Sequence, residues 1–308
     1  MDSEQENNNT QQVPNSDAVI EIIQSLKKAD RLGISLRKMV SILLNNFGVV
    51  PTCEGTIHQG IYILRARINT DGTLFNSEKE LSYRPDDWAV RNYGRSSAPV
   101  RAVFYGVLGN ESREAAIETV LSEIKEIFRN SDISYNIIPQ EFYCTIGAWK
   151  VIQPIKVAQV LFSKRFVNKI EWVHDGYVHF LENFALKLKP TQVEAIRLIL
   201  EFISDEFAKP DINTHEDYII SAAYAQYVFE ATPLNGILYP SVRTNGHGVN
   251  IALYPSIVDR YTALEEVNYC HITANDNGIL IRPQKRAVDL GPMNSSFVWE
   301  ENSYDNNT

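Results

Sequence analysis

"GILYPSVRTNGHGVNIALYP", Gly236 to Pro255, has the form of two short apolar strands joined by a glycine-containing turn. Gly246 and Gly248 let the chain reverse. A plain hairpin, however, needs none of Tyr239-Pro240-Ser241, Arg243 or His247. Taken singly, Ser241 reads as a turn serine after proline, and Arg243 is at least as well placed in solvent. The stretch is therefore either a turn between core strands or the wall of a site.

Working outward, a helix over about 215–230 leads into this segment. Before it, "PTQVEAIRLILEFISDEFAKP" (190–210) has helical apolar spacing, with Thr191 as N-cap, Glu194 three residues later and Pro210 as the stop. Further upstream, Phe142–Ile146, Ile61–Ile68 and Val100–Leu108 have strand character. Between them a helix from Ser112 to Phe128 carries Ala116, Val120, Ile124 and Ile127 on one face. Asp17–Asn46 reads as a helical hairpin broken near Gly33. The resulting division is a disordered tail (1–17), a helical extension (18–55), a main domain (56–290) with a mostly helical insertion at about 145–230, and a second disordered tail (291–308).

The 308 residues are 44% hydrophobic and 22% charged, enough to bury a large core. A formal net charge of -9 argues against nucleic-acid binding, which calls for concentrated positive charge. No apolar run approaches the roughly 18 residues that a membrane helix needs, and the N-terminus lacks the features of a signal peptide. Three widely spaced cysteines suit a reducing cytoplasm better than a disulfide framework. There is no Gly-rich phosphate loop, Gly-x-Ser-x-Gly elbow or His-Glu-x-x-His motif. His174 and His179 are spaced wrongly to share a helix face, so no metal site is expected. Cys144, within "EFYCTI", reads as a buried inert thiol.

Arginine stands out. Arg65, Arg67, Arg84, Arg91, Arg95 and Arg101 share a window that contains a single lysine, Lys79. A guanidinium grips phosphate through two parallel bonds, which an ammonium cannot do. Salt bridges on exposed faces account for Arg84, Arg91 and Arg101. Arg65 and Arg67 alternate with Leu64, Ala66 and Ile68, so one strand face presents two cations and calls for a partner anion.

In order along the chain, Arg65 in "ILRAR", Gly94-Arg95, Tyr105 in "VFYG", Glu118 in "AIETV" and Ser241 in the opening stretch resemble the RES-domain family, named for an arginine, a glutamate and a serine. The resemblance spans roughly 60–270. Its most specific part is Gly-Ile-x-Tyr-Pro-Ser followed by Gly-x-Asn-x-Ala-Leu. Where that family continues Gly-Arg with an aromatic residue, asparagine and a Gly-rich turn, this chain has Ser96-Ser97-Ala98-Pro99.

The resemblance implies an α+β fold with an ADP-ribosyltransferase-like split β-sheet core and a cleft for NAD. It also implies cleavage of the nicotinamide–ribose bond by water or phosphate, often by the toxin of a toxin–antitoxin pair. NAD is then the substrate, with no separate cofactor or metal. An antitoxin protein is an implied partner, and an oligomer is compatible with the sequence. In this scheme Glu118 stabilises the ribosyl cation, Arg65 clamps the pyrophosphate and Tyr105 stacks on the nicotinamide. Ser241, held by Pro240 beside Tyr239, bonds the ribose or the amide, while Arg67 and Arg95 assist binding. Two other functions compete: transfer of ADP-ribose to a macromolecule, and an inactive module that binds a nucleotide or a partner.

Overall fold

A computed structural model describes residues 13–29, 31, 33–84, 91–109, 112–124, 140–186, 188–275, 278–291 and 296–302. The opening stretch is a hairpin of β6 (Gly236–Pro240) and β7 (Val249–Leu253), every residue of which is buried. Burial on both faces explains its near-continuous apolar character. Ser241 N donates to Gly248 O at 2.8 Å, and Gly246 N donates to Ser241 O at 2.7 Å, closing the loop. Gly246 sits at φ 93°, where a side chain would be strained.

Before this hairpin come α1 (Ser16–Lys28), α2 (Leu36–Phe47), β1 (Cys53–Ile57), β2 (Tyr62–Asn69), α3 (Glu78–Leu81), β3 (Phe104–Leu108) and α4 (Arg113–Ile124). They are followed by β4 (Gln140–Val151), β5 (Ile155–Gln159), α5 (Glu171–Ala185), α6 (Pro190–Phe207) and α7 (Ile219–Ala231). After the hairpin come α8 (Pro255–Tyr261), β8 (Thr262–Asn275), β9 (Gly278–Asp289) and β10 (Val298–Glu301). The fold is α+β. The strands form a ten-stranded sheet in the order β1-β5-β6-β7-β3-β2-β4-β8-β9-β10. Among the described residues, only β5 and β6 pair in parallel. A parallel pair needs a long crossover, and α5, α6 and α7 supply it.

A seam runs through the middle of the sheet. β2 and β3 pair only through Ile63↔Leu108 and Leu64↔Val107. Beyond Leu64, β2 stays with β4 as far as Asn69↔Tyr143, while β3 stays with β7 as far as Phe104↔Leu253. Close approach at the seam depends on Gly106, whose absent Cβ would meet Ile63 Cγ2 at 2.5 Å.

On one face of β5, β6 and β7, helices α1, α2, α6 and α7 build a core that includes Phe47, Phe202, Tyr224, Ile237 and Ala252. The two expected N-terminal helices are present as α1 and α2, with Gly33 at φ 73° between them, but α1 packs against α6 and α2 against α7 in place of a hairpin packed on itself. α4 packs Ala116, Val120 and Leu121 over Leu64, Ala66 and Cys144. The opposite face buries Phe104, Trp149, Ile251 and Leu253.

Several boundaries differ from expectation. Lys189, not Thr191, caps α6; Pro190 starts the helix with its fixed φ, and Gln192 Oε1 accepts from Lys189 N at 3.3 Å. β3 begins at Phe104 because Val100, at φ 62°, breaks the extended run. The N-terminal stretch expected to be disordered already enters α1 at Ser16, with Asn15 Oδ1 accepting from Ala18 N. The C-terminal stretch is also not wholly a tail. β10 pairs with β9, Phe297 is buried, and Trp299 Nε1 donates to Phe75 O. Residues 1–12, 125–128 of the expected helix, and 303–308 lie outside the described residues.

Candidate functional site

Where β2 and β3 part, a cleft of about 330 Å³ opens between the seam, α4 and the chain joining α6 to α7. Arg65 stands at its floor. Its Nε donates to Leu81 O at 2.9 Å and its Nη1 to Tyr105 O. The guanidinium thus takes up a β3 carbonyl where the sheet ladder stops, and still has Nη2 hydrogens to offer. It also lies 5.3 Å from the Phe104 ring centroid. Burial, then the charges of Arg67 and Arg84, pull Arg65 down to about 9. Among the described residues no carboxylate offsets this. The cation is costly to the folded chain until an anion arrives.

Arg67, on the same face of β2, clasps the same short helix: its Nε donates to Leu81 O at 3.1 Å and its Nη2 to Ser82 O. It does not line the cleft. Arg95 does; it donates through Nη1 to Phe207 O and through Nη2 to Lys209 O at 2.8 Å, and lies 5.2 Å from the Tyr218 ring centroid. The carbonyl end of α6 is a favourable seat for a cation. The Tyr105 hydroxyl accepts from Ser96 N at 2.9 Å. With its hydroxyl engaged within the protein, Tyr105 lends the cleft its ring; burial raises its pKa and keeps it neutral. Tyr239 is buried beside it, against Phe207, and is pushed well above the usual tyrosine range, chiefly by burial.

The carboxylate in the cleft belongs to Glu123. Its Oε1 accepts from Ser241 Oγ at 2.7 Å and from Asn250 Nδ2 at 2.7 Å. Both donors come from the hairpin, one from its loop and one from β7. Among the described residues Oε2 has no hydrogen-bond partner. Gly248 is what allows α4 to come this near, since a Cβ there would overlap the Thr119 side chain. Gly248 therefore does more than turn the chain: it lets the hairpin come within bonding distance of a helix carboxylate.

Compared with known protein families, the chain matches the RES domain over residues 169–273. Residues 169–273 of this chain are similar to that domain. No curated protein matches it. The matched stretch runs through α5, α6 and α7, the hairpin and most of β8, and so includes Ser241 and Asn250. Arg65, Tyr105 and Glu123 lie outside it and join it through the fold. Among the described residues, no helix is long and apolar enough to cross a membrane, and no group of three His, Cys, Asp or Glu could hold a metal ion.

The structure brings Arg65, Arg95, Tyr105 and Tyr239 together and leaves out Glu118. Glu118 is exposed, at a separate depression of about 240 Å³ that it shares with Thr244 and His247. Five residues along a helix is a turn of about 140°, so Glu118 and Glu123 cannot share a direction. Glu123, which the sequence presents as a solvated helix glutamate, is half-buried instead. A signal for it existed: Glu123 is three residues past Val120 and seven past Ala116, on the buried stripe. Ser241 also takes a different part from the one expected. It is 0% exposed and does not line the cleft; its hydroxyl reaches Glu123. Arg101 pairs with Glu230 on the surface, as a salt-bridge reading requires. Cys144 is a fully buried strand thiol, and desolvation raises its pKa beyond reach of ionisation.

Proposed function

We propose that the cleft binds NAD and that the protein cleaves its nicotinamide–ribose bond. The observation that carries this reading is Glu123, held by Ser241 and Asn250 with its other oxygen unbonded among the described residues, in the same cleft as an arginine that no described carboxylate offsets. When the C1′–N bond breaks, its electron pair neutralises the pyridinium, so nicotinamide departs without an acid. Positive charge passes to the ribosyl oxocarbenium ion, where the Glu123 carboxylate stabilises it. Water or phosphate then adds at C1′, and water's surplus proton leaves to Glu123 or solvent. This needs one carboxylate, unlike ordinary glycoside hydrolysis, which needs two.

The Tyr105 ring faces the cationic nicotinamide, and Arg65 and Arg95 offer fork donors to the pyrophosphate. A volume of about 330 Å³ is at the small end for a ligand site and suits the nicotinamide–ribose half, with the adenosine reaching outward. The family likeness supports a role as the toxin of a toxin–antitoxin pair acting in the cytoplasm, restrained by a partner protein.

Purified protein with NAD, with and without phosphate, tests the proposal by mass spectrometry. Nicotinamide with ADP-ribose or its 1-phosphate is the expected result. Intact NAD overturns the enzymatic reading and leaves a binding module, and ADP-ribose found only on protein makes it a transferase.

A further inference from the structure

Asn250 is 5% exposed, on the wall of the cleft. Its Nδ2 donates to Glu123 Oε1 at 2.7 Å. That bond sets the orientation of the amide, because a carboxylate accepts only from the nitrogen side. Oδ1 is thereby turned away from Glu123, and it is a buried oxygen with no hydrogen-bond partner among the described residues. Such atoms are rare in folded proteins and costly to keep.

We propose that Asn250 Oδ1 is the acceptor for a ribose hydroxyl, and that Glu123 Oε2 and Asn250 Oδ1 together grip the two neighbouring hydroxyls of the ribose whose C1′ reacts. This rests on the NAD reading above and names which part of NAD the hairpin recognises. An amide oxygen reads donors alone, so it cannot take a phosphate or a carboxylate. Its bond to Glu123 ties it to the group that must face C1′, so the donor it meets belongs to the same sugar. Two acceptors carried by hydrogen-bonded neighbouring side chains fit two neighbouring hydroxyls. The nicotinamide amide, by contrast, would bring the ring and not C1′ to Glu123. Asn250 thus makes the site selective for a ribose that keeps both of these hydroxyls.

The test compares NAD with two analogues lacking either the 2′- or the 3′-hydroxyl of the nicotinamide ribose, on wild type and Asn250→Ala. The variant's missing bond to Glu123, and the intrinsic reactivity of each analogue, cancel in the cycle. Asn250→Ala should lower kcat/KM for NAD about tenfold or more, and cost about fivefold less on one of the two analogues. Equal losses on all three substrates would leave Asn250 as a mere support for Glu123 and overturn the proposal. Should Asn250→Ala not fold, calorimetry with the Glu123→Gln protein decides through the hydroxyl that Asn250 takes. One analogue must then bind about fivefold more weakly than NAD, and two analogues that both bind as tightly as NAD overturn it. If wild type neither binds nor cleaves NAD, the NAD reading falls and this inference with it. If NAD is cleaved and the cycle is additive, only this inference falls.

Discussion

Replacing Ser241 by alanine removes one hydroxyl from a residue that is 0% exposed and bonds Glu123 Oε1 at 2.7 Å. Because Ser241 does not line the cleft, its effect on catalysis must pass through the carboxylate. A hydrogen bond to a charged group is worth about 1.5–3 kcal/mol. Asn250 still holds the same oxygen, so the lower end applies, and about 1.5 kcal/mol is roughly tenfold in rate. The loss should fall on kcat, since a misaligned carboxylate weakens the transition state more than the bound substrate. Stability should drop by about 1 kcal/mol or less, as no buried donor is left unpaired. The assay is steady-state nicotinamide release, repeated in a Glu123→Gln background. There the further loss from Ser241→Ala should shrink to about twofold, because residues that act as a unit are not additive. A raised KM at unchanged kcat would mean that Ser241 touches the substrate itself. Either that result or a full tenfold loss in both backgrounds would refute the positioning role.

Three other outcomes follow from the same geometry. Glu123→Gln should reduce nicotinamide release by about a hundredfold or more, while Glu118→Gln, on the outer side of α4, leaves it unchanged; both are read in the same release assay. Gly248→Ala should cost about 1–3 kcal/mol in urea unfolding, because the new methyl overlaps Thr119, and Thr119→Ala should recover part of it. Inorganic pyrophosphate should raise the melting temperature of wild type by offsetting the Arg65 charge, which no described carboxylate offsets, with about 2.7 kcal/mol of stabilisation at a hundredfold excess over Kd. Arg65→Gln should lose most of that gain, and an equal gain in both proteins would show that the anion binds elsewhere.

Much of the architecture is legible in local pattern. Helical spacing of apolar residues marks α1, α2 and α6, which pack apolar residues into the same core, whereas α7 lies inside that core and is buried on nearly every side. Ser112 marks the start of α4, and its Oγ does accept from Ala115 N at 3.0 Å. Strand alternation places Arg65 and Arg67 on one face of β2, and both bond Leu81 O. Sequence and structure part where a distant contact overrides a local one. β10 is hidden in an Asn- and Ser-rich segment because its reason for ordering is the β9 edge and the Phe297 and Trp299 anchors. Local pattern favours Glu118 over Glu123 because a single helix cannot say which of its faces meets a hairpin more than a hundred residues downstream.

Tyr105, Tyr239 and Ser241 stand out only through the RES-domain resemblance; by itself, the sequence determined the hairpin and its glycines and the two arginines of β2. Those features depend on backbone freedom, period-two alternation and neighbouring residues, all of which are local. The tertiary structure alone decided which glutamate enters the cleft, that Ser241 and Asn250 converge on one of its oxygens, and that Arg65 stands where the sheet parts. Each of these follows from how near α4 can approach β7 and from where β2 and β3 stop pairing. Both are set by packing between segments that never meet in the chain.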